Sequence, residues 1–427
     1  MGRGLKTFLW AGLASLVAWV IFFLITQVNV PGYDKPVWKL LLTGDDVAVS
    51  RWVAFMVVVV VVVVVALAYG ALRGWWQCRR LRRQDVRRAS AVALAKTGRL
   101  AEAVEEFRGL VATNPQDAAN YFNLGAALYD KGELDEAITE YRRAIELDSK
   151  YAKAHVNLGV ALRRKAQVDE GIKHLTRAIE LDPKDAKAHY NLGSALHDKG
   201  DLDGAIAEYR RGIELGPEDA TAYYILGIAL REKGELDEAI AEYRQAIELG
   251  PKDAKVHYNL AVALRDKGEL DEAIAEYRQA IELDPKLPEP HNNLGVALGE
   301  KGELDEAITA YRRAIELDPN FAVAHSNLGG ALAAKGELDE AIVELRRAIE
   351  LEPDYAKAHY HLACAEGLRG NLADAVAALG AAIDRDAAWG TEARADPDFD
   401  KIRDDPEFQR LVRDEGGQGQ KPGLGTA

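Results

Sequence analysis

Cysteine is nearly absent: Cys78 and Cys364 are the two in 427 residues, far apart and without a CxxC pair. That excludes a disulfide framework and a thiolate zinc site, and it suits a reducing compartment. Also missing are Gly-x-Ser-x-Gly, HExxH, P-loop and Gly-x-Gly-x-x-Gly patterns, so no nucleophile elbow, zinc protease or nucleotide cradle is encoded. No enzyme activity, cofactor or metal is expected. Basic residues are scarce where nucleic acid would need them. Beyond residue 88 the chain holds 42 Lys/Arg against 64 Asp/Glu, a balance of −22, whereas residues 1–88 hold 12 against 4, a balance of +8. Phosphate affinity comes from clustered cations, so DNA and RNA are excluded as partners of the acidic part.

What is present at the start is apolar. Residues 8–28 carry no charge, and residues 52–72 form a second such stretch with nine consecutive valines from Val57 to Val65. About 20 apolar residues span a bilayer core as a helix. The first stretch is long for a signal peptide, and Asn29-Val30-Pro31-Gly32-Tyr33 offers no small-x-small cleavage site. The expectation is therefore a transmembrane hairpin: a cytoplasmic terminus 1–7, helix 8–28, an extracytoplasmic loop 29–51 and helix 52–72. Arg73, Arg79, Arg80, Arg82, Arg83, Arg87 and Arg88 follow the second stretch. The positive-inside rule then puts both termini in the cytoplasm of an integral plasma- or inner-membrane protein. Within the basic segment 73–88, Arg79, Arg80, Arg82 and Arg83 are candidates for lipid headgroups, with the bilayer itself a partner.

Self-similarity dominates the remainder. Lys-Gly-Glu-Leu-Asp-Glu-Ala-Ile begins at 131, 233, 267, 301 and 335, all separated by multiples of 34. Phasing on it gives nine units from 84 to 389 without an insertion: 84–117, 118–151, 152–185, 186–219, 220–253, 254–287, 288–321, 322–355 and 356–389. Each reads as two amphipathic helices, the first ending at a Lys-Gly turn and the second before Asp-Pro. One such pair cannot bury its own apolar stripe, so stacking must supply the core. In the unit 322–355 the residues His325, Leu328, Gly329, Leu332, Ala341, Leu345, Ala348 and Pro353 carry the pattern. This resembles the tetratricopeptide-repeat (TPR) family. The resemblance implies an all-α fold, a right-handed superhelix of nine helix-turn-helix repeats placed after the hairpin. Residues 390–414 are expected to form a helical cap using Phe399, Ile402, Phe408, Leu411 and Val412. Residues 415–427 read as a disordered tail.

On a 3.6-residue wheel, positions 4, 7, 8 and 11 of each first helix form the packing face, and 2, 5, 6, 9 and 13 the opposite one. In the TPR family that second face lines the concave groove. Position 6 is Asn123, Asn157, Asn191, Asn259, Asn293 and Asn327, lapsing at Ile225 and His361; position 5 includes Tyr190, Tyr224 and Tyr258; position 2 includes Lys153, Lys187 and Lys255. Arg163, Arg231 and Arg265 stand at the groove's edge, at position 12. An asparagine amide both donates and accepts, so a ladder of them suits an extended peptide backbone. A family preference for Asn before Leu-Gly explains the ladder equally well. Lysines within an otherwise acidic exterior favour an acidic or carboxylate-bearing protein segment. The six histidines at position 4, His155 through His359, stand about 10 Å apart in a helix stack, too far to share a metal.

The expected function is a membrane-anchored scaffold that recruits protein or peptide segments. The layout of hairpin, basic stretch and TPR array is similar to that of HemY-like and lipopolysaccharide-assembly TPR proteins, which implies membrane or envelope biogenesis as the alternative. The rubredoxin-like zinc domain of the latter is missing from this chain.

Overall fold

The computed structural model describes residues 47–413 together with Trp19 and Lys39. Among the described residues every regular element is helical. The chain runs α1 (Val47–Lys96), α2 (Leu100–Thr113), α3 (Ala118–Lys131), α4 (Leu134–Leu147), α5 (Ala152–Arg164), α6 (Val168–Leu181) and α7 (Ala186–Asp198). It continues with α8 (Leu202–Leu215), α9 (Ala220–Lys233), α10 (Leu236–Leu249), α11 (Ala254–Lys267), α12 (Leu270–Leu283), α13 (Pro288–Glu300) and α14 (Leu304–Leu317). Then come α15 (Ala322–Lys335), α16 (Leu338–Leu351), α17 (Ala356–Arg369), α18 (Leu372–Arg385), α19 (Ala388–Ala395), a 3-10 turn (Pro397–Phe399) and α20 (Pro406–Val412). The predicted tail 415–427 and nearly all of 1–46 lie outside the described residues.

Local chemistry sets the helix ends. Asp117, Asp185, Asp219 and Asp253 each accept a hydrogen bond from the backbone N–H two residues on, capping α3, α7, α9 and α11. Left-handed glycines such as Gly234 (φ 86°) end the first helices, because only glycine enters that region without a Cβ penalty. One unit departs: Ala166 has φ 59°, and it is the one non-glycine residue with positive φ among those described.

The helices form two compact units, 1–149 and 150–427. In the first, the last turns of α1 pack on α2 and α3, burying Ala91, Val104, Phe107 and Leu110. Arg88 fastens this joint by donating to Asp117 and to the Oδ1 of Asn120, and Arg87 pairs with Glu106 at 2.8 Å. In the second unit, seven hairpins from α5/α6 to α17/α18 stack in sequence order. Within a hairpin the contact is a ring in a hole. A Cβ on Gly193, Gly227 or Gly295 would stand 2.6 Å from the ring of Tyr209, Tyr243 or Tyr311. These tyrosines are buried and knit one continuous apolar core from Ala205 to Ala365. Residues 388–412 close the last hairpin, with Phe399 and Phe408 fully buried against Tyr360, Leu379 and Ala382. Ile402, Leu411 and Val412 pack in the same cluster.

The membrane assignment is overturned. Among the described residues no helix is long and apolar enough to cross a membrane, so the transmembrane hairpin, the integral-membrane localisation and the cytoplasmic placement derived from it do not stand. The physical reason lies in α1. Its valine run is not a separate segment but lies within the first half of a 50-residue helix that continues without a break through the arginine-rich stretch into the repeat array. The other half of the expected hairpin, 8–28, lies outside the described residues apart from Trp19.

Candidate functional site

Of the groove residues expected from the sequence, Asn123 stands on α3 in the first unit and the others on first helices of the second, and they divide into two groups. The lysines are open: Lys153, Lys187 and Lys255 are exposed, and no carboxylate pairs with them among the described residues. The asparagines are mostly engaged within the protein. Asn123 and Asn191 donate to backbone carbonyls one turn earlier, Ala119 O at 2.7 Å and Lys187 O at 2.8 Å. Asn259 donates to Lys255 O at 2.9 Å and to the hydroxyl of Tyr224 at 3.1 Å. Asn293 repeats this on Tyr258 at 2.9 Å. Asn157 is half-buried.

The tyrosine–asparagine pair is therefore a staple between successive repeats, joining position 5 of one to position 6 of the next. Its exception proves informative. Tyr190 faces Ile225, which cannot donate; the ring instead lies over Gly212, and its hydroxyl donates to Gly216 O at 3.3 Å. Further along, asparagine replaces tyrosine and the staple becomes a relay. Asn327 donates to Asn292 Oδ1 at 3.0 Å, and Asn292 donates to Asn293 Oδ1 at 3.0 Å. Lys357 approaches Asn327 Oδ1 at 3.5 Å. Burial, with Arg265 nearby, pushes the Lys357 ammonium below the ordinary lysine range. His361, at the asparagine position of its unit, donates from Nδ1 to Ser326 O at 3.2 Å. Burial first, and the Lys357 charge second, push its imidazole down to about 4.

The edge arginines are neutralised. Arg163 meets Asp198 at 3.5 Å and Arg231 meets Asp266 at 3.6 Å; His197 meets Glu232 at 2.7 Å in the same register. Arg265 lies beside Asp266 at 3.2 Å, with Glu300 acting on it from the next repeat. Residue types at position 12 show the arginines in the sequence but not their carboxylates. The signal was present, because Arg163 and Asp198, Arg231 and Asp266, and Arg265 and Glu300 are each one residue more than a repeat apart.

Two hydroxyls remain partly unspent. Tyr224 and Tyr258 accept from asparagine through an oxygen lone pair, while their own O–H protons find no acceptor among the described residues. Burial raises both phenols above the ordinary range, with Asp253 acting on Tyr224 and Glu289 on Tyr258. They stay neutral donors at any physiological pH.

Elsewhere the charge is woven between repeats. Arg244–Glu272 (2.7 Å), Arg278–Glu306 (3.0 Å) and Arg312–Glu340 (2.7 Å) link consecutive second helices, as does Arg210–Glu238. Lys233, Lys267, Lys301 and Lys335 reach back to Asp203, Asp237, Asp271 and Asp305 at 2.6–2.8 Å. Hydrogen bonds donated to Asp237 and Glu269 hold the Lys267 ammonium up at about 12. The position-4 histidines are clasped rather than metal-directed: His189, His257 and His325 meet Glu208, Glu276 and Glu344 at 2.6–2.7 Å.

One group of donor atoms has metal-like spacing. Cys364 Sγ and carboxylate oxygens of Asp396 and Asp398 lie within 4.8 Å of one another. These groups already have uses. Tyr360 donates to Asp396 Oδ2 at 2.6 Å, Cys364 donates there at 3.7 Å, and Asp396 Oδ1 caps the 3-10 turn. Of the lipid-headgroup candidates, Arg79 is exposed with its guanidinium 5.1 Å from the Trp75 ring. The side chains of Arg80, Arg82 and Arg83 lie outside the described residues.

Comparison with known proteins agrees with this architecture. The family model of the cilia and flagella-associated protein 70 C-terminal domain matches residues 63–327, and a TPR repeat model matches 329–365. No curated protein matches. Among solved structures, MamA is 30% identical, with 40% of this chain and 92% of MamA covered at a TM-score of 0.37. YrrB, described as a TPR protein with an unusual peptide-binding site, is 27% identical over 47% of this chain and 99% of its own, with a TM-score of 0.39. MamA from Desulfovibrio magneticus RS-1 is 24% identical over 40% and 96%, at 0.38. Similarity to HemY-like or lipopolysaccharide-assembly proteins is not shown by these matches. With its 34-residue helical hairpins, glycine-in-ring packing and a family model spanning more than half its length, the chain belongs to the tetratricopeptide-repeat family.

Proposed function

We propose that this protein is a non-enzymatic scaffold that binds an extended protein segment along the first-helix face of residues 152–287. One observation carries the reading. On a surface where Arg210, Arg244 and Arg278 are paired between repeats, Lys153, Lys187 and Lys255 stay exposed at the same repeat position with no carboxylate partner among the described residues. The O–H protons of Tyr224 and Tyr258 lie on the same face. Lysines supply charge-assisted donors and the phenols neutral ones, so the matching ligand is rich in acceptors: an acidic or carboxylate-bearing segment. The asparagine ladder contributes less than its regularity suggests, because Asn259 and Asn293 spend an amide hydrogen on the tyrosine staples. Their role is to hold the tyrosines in place.

The test is partner capture by the intact chain carrying Lys153→Ala, Lys187→Ala and Lys255→Ala together. Each charge-assisted hydrogen bond contributes about 1.5–3 kcal/mol, so losing even one such contact predicts at least about a tenfold drop in affinity. Residual binding should lose its dependence on salt. Undiminished, salt-sensitive capture by the triple variant would place the binding surface elsewhere.

A further inference from the structure

The array's lysines stand in two main settings, and Lys357 is in neither. At the turns, Lys233, Lys267, Lys301 and Lys335 each hold an aspartate of the preceding repeat and a glutamate of their own at 2.6–2.8 Å. On the first helices, Lys153, Lys187 and Lys255 are exposed at repeat position 2. Lys357 holds that position on α17, yet it is half-buried, and no carboxylate lies within salt-bridge distance of it among the described residues. The acceptor it does meet is a neutral amide oxygen at the long distance of 3.5 Å, Asn327 Oδ1. His361 stands one turn further along the same face of α17, where Ser326 O at 3.2 Å accepts its Nδ1 proton. Burial keeps that imidazole neutral at physiological pH, so it supplies no countercharge. Burial also weighs against the charged form of Lys357, and Arg265 acts on it in the same direction more strongly than Glu300 opposes.

We propose that Lys357 is a modification site, at which the side-chain amine takes an acyl group from a small acyl phosphate. A nucleophilic lysine needs its lone pair free. An amine drawn out of water, beside another cation and away from any carboxylate, has it free at neutral pH. The same positive field suits an electrophile that is itself an anion. The step balances without a further reactant. The Nζ lone pair attacks the acyl carbonyl carbon, the amide C–N bond forms, the C–O bond to phosphate breaks, and the departing phosphate carries away one amine proton. The product is an uncharged amide, so acylation removes one positive charge from the first-helix face. The site lies outside residues 152–287 and stands or falls separately from the binding face there.

The experiment treats the full chain with acetyl phosphate over a series of pH values and follows acetylation at each lysine by peptide mass spectrometry. Lys153, Lys187 and Lys255 in the same molecule serve as exposed references. Lys357 should be acetylated fastest of the four at neutral pH, and its rate should fall less steeply than theirs as the solution is brought down from alkaline to neutral. Asn327→Asp puts a carboxylate where the amide oxygen was. It should slow Lys357 at neutral pH by roughly tenfold or more and leave the references unchanged, because a carboxylate in contact holds an amine in its charged form. A Lys357 rate at or below the references at neutral pH, whatever its slope, overturns the proposal. So does a Lys357 rate that Asn327→Asp leaves unchanged in a chain whose circular dichroism matches wild type.

Discussion

Replacing Ala166 by glycine should stabilise the protein, and the size of the effect follows from one dihedral angle. Ala166 occupies the turn where the other units carry glycine, at φ 59°. Its turn makes the same hydrogen bonds as theirs: Ala166 N–H to Arg163 O and Gln167 N–H to Leu162 O, both 2.9 Å, against Gly234 to Arg231 and Glu235 to Leu230, also 2.9 Å. Ala166 is exposed, so its methyl group contributes no packing. A left-handed conformation costs an L-residue about 1–2 kcal/mol, while glycine's extra freedom in the unfolded chain returns about 0.5–1 kcal/mol. The net gain is on the order of 1 kcal/mol. Repeat arrays unfold piecewise, so a global melting curve would blur it. Native-state hydrogen exchange resolves it: amides of α5 and α6 should exchange about fivefold more slowly in A166G. The mirror substitution, Gly234→Ala, should speed exchange in α9 and α10 by a similar factor. Unchanged rates in both variants would refute the strain argument.

Further predictions follow the same geometry. The folded pKa of His361, about 4, lies below the unfolded histidine value, so the unfolded state binds more protons between them. Stability should therefore fall as the pH drops from about 6.5 to about 4, by at most roughly 3 kcal/mol, and His361→Gln should flatten that limb in pH-dependent denaturation. Tyr258→Phe removes the acceptor of Asn293 and should cost about 1 kcal/mol, readable as faster exchange in α11 and α13; Asn293→Ala in the same background should add little. The inter-repeat pairs, such as Arg278–Glu306, are exposed, each contributing up to about 1 kcal/mol. Raising salt to 1 M should lower the urea midpoint slightly, and Arg278→Gln should reduce that response.

Much of the fold was legible because its signals are periodic. The 34-residue phase located the helix pairs, and the Lys-Gly turns and Asp-Pro pairs marked their ends. The terminal aromatics Phe399 and Phe408 were readable as a cap because an array needs its last face closed. What failed was the reading of residues 52–72. Composition treated the valine run as a free segment, whereas in the structure it is continuous with the helix that begins the array. The groove was half legible. Residue types at positions 2, 5 and 6 were visible, but a wheel drawn for one helix cannot show that Asn259 turns toward Tyr224 of the preceding repeat. The same limit hid Asp198, Asp266 and Glu300 behind Arg163, Arg231 and Arg265. Partners a repeat apart become visible only when neighbouring helices are placed side by side.

The central claim, that the first-helix face is where this protein holds its partner, is tested most directly by site-specific photo-crosslinking in cells. A crosslinking residue at Thr221, exposed at the same repeat position as Lys187 and Lys255, is compared with one at Val343, exposed on α16. The account predicts protein adducts from position 221, lost when Lys187 and Lys255 are replaced by alanine, and none from position 343. Adducts from position 343 alone, indifferent to the lysines, would contradict it.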